Sequence, residues 1–366
     1  MTVSCTKAHL AHGLALTEQT LGKNATLPVL EHLALYAETG RLRLSTTNLE
    51  GAVTVVLPAK TDETGSWTVP ARVLGGLIRS LPDGPVQIKK TGRVMTIKGS
   101  GFSGKINCGN IDDFPIIPNV SDETSLVIET APFFEALDAA AVATALTESR
   151  PELSGILLTL QGDELSVVAT DTFRLTLRVL EQHGADEFSF ILPSRAAVTA
   201  GRLFKDAKKV TLKVSENQCV FEEGDVTFIS RLIEGSFPDF RAIIPEEGDA
   251  HIVVSRTVLL EHLDAATFFT SRLNDVILTI TEGGKHLEVR AANNDVGEYT
   301  TEIKTEGEAV GETSAAFNIR YLADGVRTLK GETIRIELNG QQRPTVLRPT
   351  GDETQDLYLI MPIRTS

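Results

Sequence analysis

The sequence predicts an α+β protein built from three tandem copies of one domain, each copy made of two halves in which a helix is followed by an antiparallel sheet. Three observations lead to this fold class. Similar strings recur about every 123 residues, runs of alternating apolar and polar residues mark strands, and amphipathic helices accompany them. At 366 residues the chain is also too long for one core. We expect domains at residues 1–122, 123–247 and 248–366.

The repeat is clearest in a short polar string that follows a strand in each domain. The strings have central residues 123 positions apart and are Thr46-Thr47-Asn48, Ala169-Thr170-Asp171 and Ala292-Asn293-Asn294. The strands before them alternate apolar and polar residues, as half-buried strands do, and are Leu42-Arg43-Leu44, Leu165-Ser166-Val167 and Leu287-Glu288-Val289. Each strand is entered through a glycine-bearing turn, which predicts a hairpin. Phe114-Pro115 recurs 123 residues on, at Phe237-Pro238.

Two helices are predicted in each domain. The first helices are expected at about Thr6–Leu21, Pro132–Leu146 and Arg256–Phe269. The second helices are expected at about Ala71–Leu81, Ser194–Lys205 and Arg320–Leu329. Polar, acidic segments near Ser121–Glu123 and Glu246–Asp249, each soon after a proline, are typical of linkers.

Positive charge is concentrated on the second helices. Each carries two arginines seven residues apart, a spacing of nearly two turns that places both on one face, and the pairs are Arg72 with Arg79, Arg195 with Arg202, and Arg320 with Arg327. Together with Lys205 and neighbouring lysines, the three helical segments hold a net charge of +8. The whole chain has a net charge of −14, so the rest of it carries −22. Taken singly, a helix with two exposed arginines is more often an ordinary solvent-exposed helix than a nucleic-acid contact. Repetition in all three domains favours sequence-independent contact with phosphates, and none of the helices has the polar cluster expected for base reading.

With these repeats, the chain resembles the beta subunit of bacterial DNA polymerase III, the sliding-clamp family. The resemblance extends over the whole sequence and rests on the order of several strings: Thr26-Leu27-Pro28-Val29-Leu30, Val168-Ala169-Thr170-Asp171, Phe237-Pro238-Asp239-Phe240 and Tyr358-Leu359-Ile360-Met361-Pro362. It implies a head-to-tail homodimer in which six domains form a ring around duplex DNA, without catalysis, metal or cofactor. It also implies a cytoplasmic, nucleoid-associated protein that binds the replicative polymerase, the clamp loader and repair factors, and no membrane.

The resemblance implies two sites. The DNA contacts would be the six arginines, Lys205 and, in a loop where the family often has arginine, Asn24. A groove for partner peptides would be formed by Arg150, Leu153, Thr170, Thr172, Arg174, Leu175, Pro238, Ile243, Asn318, Tyr321, Met361, Pro362 and Arg364. The family commonly has Gly-His where this chain has Thr172-Phe173, and Thr172 lacks the freedom of glycine at positive φ. Ala242 and the ending Thr365-Ser366 also depart from the family pattern. Such departures are expected of a divergent clamp from an unusual bacterium, a plasmid or a phage.

Other functions have weaker support in the sequence. The run Gly99–Gly104 matches the dinucleotide-binding string, but the residues after it read as a strand, so a glycine-rich hairpin is favoured. His9 and His12 lack a third metal ligand, and Asp112-Asp113 reads as a loop. Three scattered cysteines are typical of reduced thiols in a cytoplasmic protein. A nuclease of tandem domains would need a carboxylate cluster, and a scaffold without nucleic acid would leave the repeated arginines unexplained.

Overall fold

The chain folds into two units, and the boundary between them runs through the second repeat. Unit 1 comprises residues 1–131 and 198–232, and unit 2 comprises residues 132–197 and 233–366. The computed structural model describes residues 2–22, 27–118, 124–146, 149–184, 186–245, 250–309, 312–351 and 355–363. The segments predicted as linkers, 121–123 and 246–249, therefore lie outside the described residues.

The described residues contain six α-helices, two for each repeat as predicted. Their bounds are α1 Lys7–Thr17, α2 Ala71–Ser80, α3 Thr130–Ala141, α4 Ser194–Leu203, α5 Arg256–Ala266 and α6 Ile319–Thr328. The first helix of each repeat was predicted to extend too far toward its C-terminus, because its last turn is 3-10 rather than α-helical. Residues Glu18–Thr20 after α1 and Thr267–Phe269 after α5 form 3-10 turns. After α3, the amides of Ala143 and Thr144 bond three residues back. No described helix has both the length and the apolar character needed to cross a membrane.

Strands make up most of the remaining described chain. In the first repeat they are β1 Thr2–Thr6, β2 His32–Glu38, β3 Arg41–Thr47, β4 Gly51–Pro58, β5 Lys60–Glu63, β6 Gly65–Pro70, β7 Pro85–Thr91, β8 Val94–Gly99 and β9 Phe102–Asn107. In the second they are β10 Thr124–Glu129, β11 Gly155–Gln161, β12 Glu164–Thr170, β13 Arg174–Glu181, β14 Phe188–Pro193, β15 Lys209–Val214, β16 Gln218–Glu223 and β17 Val226–Arg231. In the third they are β18 Ala250–Ser255, β19 Asp275–Thr281, β20 His286–Asn293, β21 Gly297–Lys304, β22 Glu306–Ala309, β23 Thr313–Asn318, β24 Thr333–Leu338, β25 Thr345–Pro349 and β26 Leu357–Ile360.

The sheets continue across the boundaries between repeats. Unit 1 contains a sheet ordered β5-β1-β7-β8-β9 and a second ordered β10-β15-β16-β17-β4-β3-β2-β6. Unit 2 contains a sheet ordered β14-β11-β12-β13-β26-β25-β24-β18-β22 and a second ordered β21-β20-β19-β23. Antiparallel pairing of β17 with β4 joins the second repeat to the first, and pairing of β13 with β26 joins the second to the third. Each junction is therefore a continuous sheet.

A short strand precedes the first helix of each repeat and crosses to the sheet of the second half. These leading strands β1, β10 and β18 pair with β7, β15 and β24. In the first and third repeats the two halves are consequently interlocked, whereas the sequence reading treated them as consecutive.

The prediction of half-buried strands holds for β20 but is wrong for β12. In β20 Leu287 and Val289 are buried and Glu288 is not, whereas in β12 Ser166 is also buried, at 3% exposure. One face of the sheet around β12 packs in a cluster with Phe240 and Val346, so this part of the sheet is covered on both sides.

Candidate DNA-contacting helices and peptide groove

The paired arginines lie on the exposed faces of their helices. All six are exposed: Arg72 and Arg79 on α2, Arg195 and Arg202 on α4, and Arg320 and Arg327 on α6. The opposite faces are buried, through Leu74 and Ile78 on α2 and through Leu322 and Val326 on α6. Seven residues of helix rise by about 10 Å, so each pair forms two positive points along one exposed stripe. On each helix this matches the prediction.

The first arginine of each pair stands where helix electrostatics disfavours it. Arg72, Arg195 and Arg320 are each the second residue of their helix. A cation in the first turn faces the positive end of the helix dipole, an unfavourable interaction of about 0.3–1 kcal/mol. Helical stability therefore gives no reason for these arginines, whereas a phosphate would be attracted both by the guanidinium and by the positive end of the helix dipole.

Two of the second arginines pair with carboxylates of the same repeat, Glu18 in the 3-10 turn after α1 and Asp264 in α5. Arg79 Nη1 lies 2.8 Å from Glu18 Oε1, and Arg327 Nη2 lies 2.5 Å from Asp264 Oδ1. The sequence reasoning missed these partners. A signal was present, because Glu18 and Asp264 are 246 residues apart, twice the repeat, with uncharged Ala141 between them at the same offset.

The remaining predicted DNA contacts are placed differently. Lys205 is exposed just after α4, with its ammonium 4.0 Å from Asp206. Asn24 lies outside the described residues. Within the described residues, Arg72 and Arg320 have no carboxylate within 4.0 Å, so their charge is not compensated locally.

The proposed peptide groove begins at the turn between β12 and β13. The Thr170 hydroxyl donates to the Arg174 carbonyl at 2.7 Å and accepts from the Thr172 amide at 3.2 Å. Asp171 Oδ1 accepts from the Phe173 and Arg174 amides at 2.9 and 3.0 Å. These bonds hold Thr172 at a φ of 78°, in the left-handed region that glycine adopts most easily. The turn places Phe173 at the surface, 59% exposed.

Arg174 connects this turn to α6. Its Nε lies 3.0 Å from Asp171 Oδ2, and its Nη1 lies 3.1 Å from Asp324 Oδ2. The guanidinium carbon stands 3.9 Å from the centre of the Tyr321 ring, and the hydroxyl of buried Tyr358 donates to the Tyr321 carbonyl at 2.7 Å. Burial raises the pKa of Tyr358, which keeps this hydroxyl protonated as a donor. Asp171 and Arg174 therefore form both an ion pair and a turn, and the Arg174 guanidinium stacks on the Tyr321 ring.

The other predicted groove residues divide into buried and accessible ones. Leu153, Thr170 and Leu175 are at most 5% exposed, so in the proposed groove they would form the floor. Arg150, Thr172 and Ile243 are exposed, whereas Pro238, Asn318, Tyr321, Met361 and Pro362 are partly exposed. The Met361 amide donates to the Phe173 carbonyl at 2.8 Å, which fixes the end of β26 beside the turn.

Three groove residues have other structural roles or positions. The Asn318 side chain caps α6 by accepting from the amides of Arg320 and Tyr321, at 3.0 and 3.3 Å. Arg150 pairs with Glu152 at 3.1 Å. Arg364 lies outside the described residues.

The features weighed for other chemistry have ordinary structural roles. Gly99 ends β8, Phe102 begins β9, and Gly101 at φ 80° forms the turn between them, so the glycine-rich run is a hairpin as predicted. His9 and His12 are both exposed on α1. Asp112 and Asp113 lie in a 3-10 turn. Within the described ranges, no three His, Cys, Asp or Glu side chains are grouped as a metal site would need.

Solved structures share this fold over the full chain. A DNA polymerase sliding clamp from Bacillus subtilis matches with a TM-score of 0.94 at 23% identity, covering 100% of both chains. A sliding clamp from Pseudomonas aeruginosa bound to griselimycin matches with a TM-score of 0.94 at 25% identity, also covering 100% of both. The fold and the three arginine-bearing helices thus define a three-domain clamp protein.

Sequence comparison extends this to a family. Residues 1–118, 127–239 and 241–364 match the N-terminal, central and C-terminal domains of the DNA polymerase III beta subunit. A curated relative, the beta sliding clamp of Staphylococcus aureus, is 25% identical over 361 residues, which is 95% of each chain. The chain belongs to the DNA polymerase III beta subunit family, and the resemblance found in the sequence is confirmed.

Proposed function

We propose that this protein is a DNA sliding clamp that encircles duplex DNA and tethers the replicative polymerase, together with other replication and repair proteins, to its template. In this proposal two chains join head to tail, each contributing domains 1–122, 123–247 and 248–366, and the resulting ring has no catalytic role. The ring would act in the cytoplasm, in association with the nucleoid. A head-to-tail contact closes into a ring when the rotation per subunit is a simple fraction of a turn, without translation along the axis.

One observation supports the DNA contact most directly. The second residue of three equivalent helices is an exposed arginine, at Arg72, Arg195 and Arg320. Since the helix dipole disfavours this placement, a polyanionic partner supplies the physical reason for it. Contacts of this kind bind phosphate without reading sequence, and they weaken as salt rises. A topologically closed ring tolerates weak contacts, which allow sliding.

Charge reversal tests this assignment. The triple variant Arg72→Glu, Arg195→Glu and Arg320→Glu should bind a short duplex more weakly and reduce the slope of log K against log salt by about 0.9 for each phosphate contact removed. The matched control, with the same change in charge on exposed residues of strands or turns, is Lys60→Glu, Lys98→Glu and Lys285→Glu. Equal losses in both variants would show that only net charge matters, and an unchanged triple variant would refute the assignment.

Retention on DNA of different topology tests the ring. Protein loaded on a nicked circular plasmid should remain bound through a wash at high salt and should leave after the plasmid is linearised. Equal retention on linear and circular DNA would contradict encirclement. Both measurements are independent of the partner-peptide groove.

We also propose that the groove residues named above bind short linear peptides of partner proteins. The chemistry supports this, because the residues assigned to the groove combine exposed apolar Phe173 and Ile243 with the charged side chain of Arg174, as sites for peptide anchors do. Griselimycin, which is bound in the P. aeruginosa relative, is a suitable probe.

Griselimycin binding, measured by calorimetry, should fall at least tenfold in Ile243→Asp, because a carboxylate then replaces about half-exposed apolar surface at the groove. The control Val296→Asp changes a similarly exposed apolar residue in the turn between β20 and β21 and should bind like wild type. Failure of wild type to bind, or equal binding by Ile243→Asp, would count against the groove.

A further inference from the structure

The turn that begins the peptide groove has a copy 123 residues earlier, in the first repeat. The Thr47 hydroxyl donates to the Gly51 carbonyl at 2.8 Å and accepts from the Leu49 amide at 3.0 Å. Asn48 Oδ1 accepts from the amides of Glu50 and Gly51 at 3.0 and 2.8 Å. Leu49 has a φ of 77°, against 78° for Thr172. The same turn is therefore built twice.

The strand that runs beside this turn is also copied. The Arg231 amide donates to the Glu50 carbonyl at 2.8 Å, as the Met361 amide donates to the Phe173 carbonyl at 2.8 Å. Arg231 at the end of β17 is thus the counterpart of Met361 at the end of β26. Both pairs of strands belong to the sheets that join successive repeats.

A cavity of about 370 Å³ opens at this first-repeat turn, within unit 1. Its walls include Leu49, Ala52, Pro115, Ile116, Ile229 and Arg231. By the offset of 123, Leu49, Ala52 and Pro115 correspond to Thr172, Leu175 and Pro238 of the proposed groove. Ala52 has three carbons fewer than Leu175, so space that a side chain occupies in the second repeat is open in the first.

The chemistry of the cavity is apolar with one uncompensated cation. Leu49 is 45% exposed and Ile116 is 94% exposed, and they line one cavity together with Pro115 and Ile229, so the exposed apolar surface is grouped there, as at interaction sites. Arg231 is exposed and, among the described residues, has no carboxylate within 4.0 Å. Glu50 is the acidic residue of the lining. A volume near 370 Å³ is in the range of small-ligand pockets and accommodates large apolar side chains.

We propose that this cavity is a second docking site for short linear peptides, specific for a sequence in which large apolar side chains are flanked by carboxylates. The apolar side chains fill the cavity between Leu49 and Ile229, and a carboxylate pairs with Arg231. The idea rests on the proposed groove as its template, but it concerns different residues. The second site has Arg231 at the position that Met361 occupies in the proposed groove. This difference gives the two sites different peptide preferences, so one clamp can hold two kinds of partner.

The test uses the full-length protein with isoleucine methyl groups labelled for NMR. The probe is Ac-Asp-Leu-Phe-Asp-NH2, and its counterpart is Ac-Lys-Leu-Phe-Lys-NH2, each titrated to about 5 mM, since such small peptides bind in the millimolar range. The Ile116 and Ile229 methyls report on the cavity and Ile243 reports on the groove. The acidic probe should shift Ile116 and Ile229 saturably, and the basic probe should bind at least fivefold more weakly.

Matched variants separate the two sites. Leu49→Asp and Thr172→Asp place a carboxylate at equivalent left-handed positions, which aspartate tolerates better than leucine or threonine, so folding should be preserved. Leu49→Asp should abolish the shifts of Ile116 and Ile229, whereas Thr172→Asp should leave them unchanged. Arg231→Met, which copies the residue of the other groove, should remove the preference for the acidic probe.

Three results would overturn the proposal. Shifts confined to Ile243 would leave the proposed groove standing and reject the second site. Equal binding of the two probes, or an unaltered preference in Arg231→Met, would reject its specificity for carboxylates. An absence of shifts at Ile116 and Ile229 would reject the site, while griselimycin binding decides the groove separately.

Discussion

The carboxylates that hold two of the arginines should limit DNA binding, and removing them should strengthen it. Glu18 accepts from Arg79 Nη1 through both oxygens, at 2.8 and 3.0 Å, and Asp264 accepts from Arg327 at 2.5 Å. The arginine side chains are 52% and 50% exposed, so each pair contributes about 0.2–1 kcal/mol. An arginine that moves to a phosphate loses this amount. The variants Glu18→Gln and Asp264→Asn should therefore bind DNA more strongly, by up to this free energy at each site.

For the proposed dimer the two changes affect four sites, and the summed gain is about 1–4 kcal/mol. Fluorescence anisotropy of a labelled 40-base-pair duplex, measured at several salt concentrations, gives both the affinity and the salt slope. If the arginines remain with the carboxylates in wild type, the slope should become steeper by about 0.9 for each arginine released.

A control removes the same charge elsewhere, through Glu216→Gln and Glu312→Gln, which change exposed carboxylates that do not pair with the paired arginines. An equal gain in this control would assign the effect to net charge alone. An unchanged affinity and slope in the Glu18 and Asp264 variants would refute the reasoning, because it would mean that these arginines do not reach DNA.

Three further predictions concern stability. Asp356→Asn should lower the free energy of unfolding in urea by about 3 kcal/mol, because the guanidinium of Arg178, 4% exposed, loses its charged partner at 2.9 Å; a loss below 1 kcal/mol would contradict a buried pair. Thr172→Gly should raise the same free energy by about 1 kcal/mol by relieving the left-handed φ, whereas a decrease would show that threonine is unstrained there. Burial lowers the pKa of His32, with a smaller opposing effect of Glu31, so its contribution to stability should be complete above about pH 6.5 and lost as the pH falls. His32→Gln should flatten this part of the stability curve, and an identical curve in the variant would exclude the histidine.

Sequence patterns predicted the elements well and their partners poorly. The positions of the second helices and their arginine faces follow from the 3.6-residue period, which any exposed amphipathic helix must satisfy. The hairpin turns follow from glycine, as at Gly40 and Gly162, whose φ angles are 76° and 59°. The pairings of β1 with β7 and of β17 with β4 connect segments far apart in the chain, and no local period specifies them.

The groove residues show the same limit. The turn from Thr170 to Arg174 could be anticipated from its polar string and its repeat, and the resemblance pointed to strain at Thr172. The cap formed by Asn318 and the ring of Tyr321 under Arg174 depend on where α6 lies against β13, which only the folded chain determines. In sequence, side chains such as Leu175 are equally consistent with a core or with a pocket wall, and the folded chain shows Leu175 fully buried in a hydrophobic cluster with Phe240 and Val346.

The three repeats share a backbone but differ in some of their surface residues, and the proposed binding partners of each repeat account for these differences. An arginine is the second residue of α2, α4 and α6 alike, as the proposed contact with a phosphate backbone requires at every step. The second arginine pairs with Glu18 in the first repeat and with Asp264, and at 3.5 Å with Asp324, in the third, which should weaken its attraction for a phosphate. The turn after the first strand pair keeps its hydrogen bonds in two repeats but presents Leu49 in one and Thr172 in the other. On the proposed function, the residues that are uniform among the repeats are those assigned to DNA, and the residues that diverge on a uniform backbone are those assigned to partner peptides.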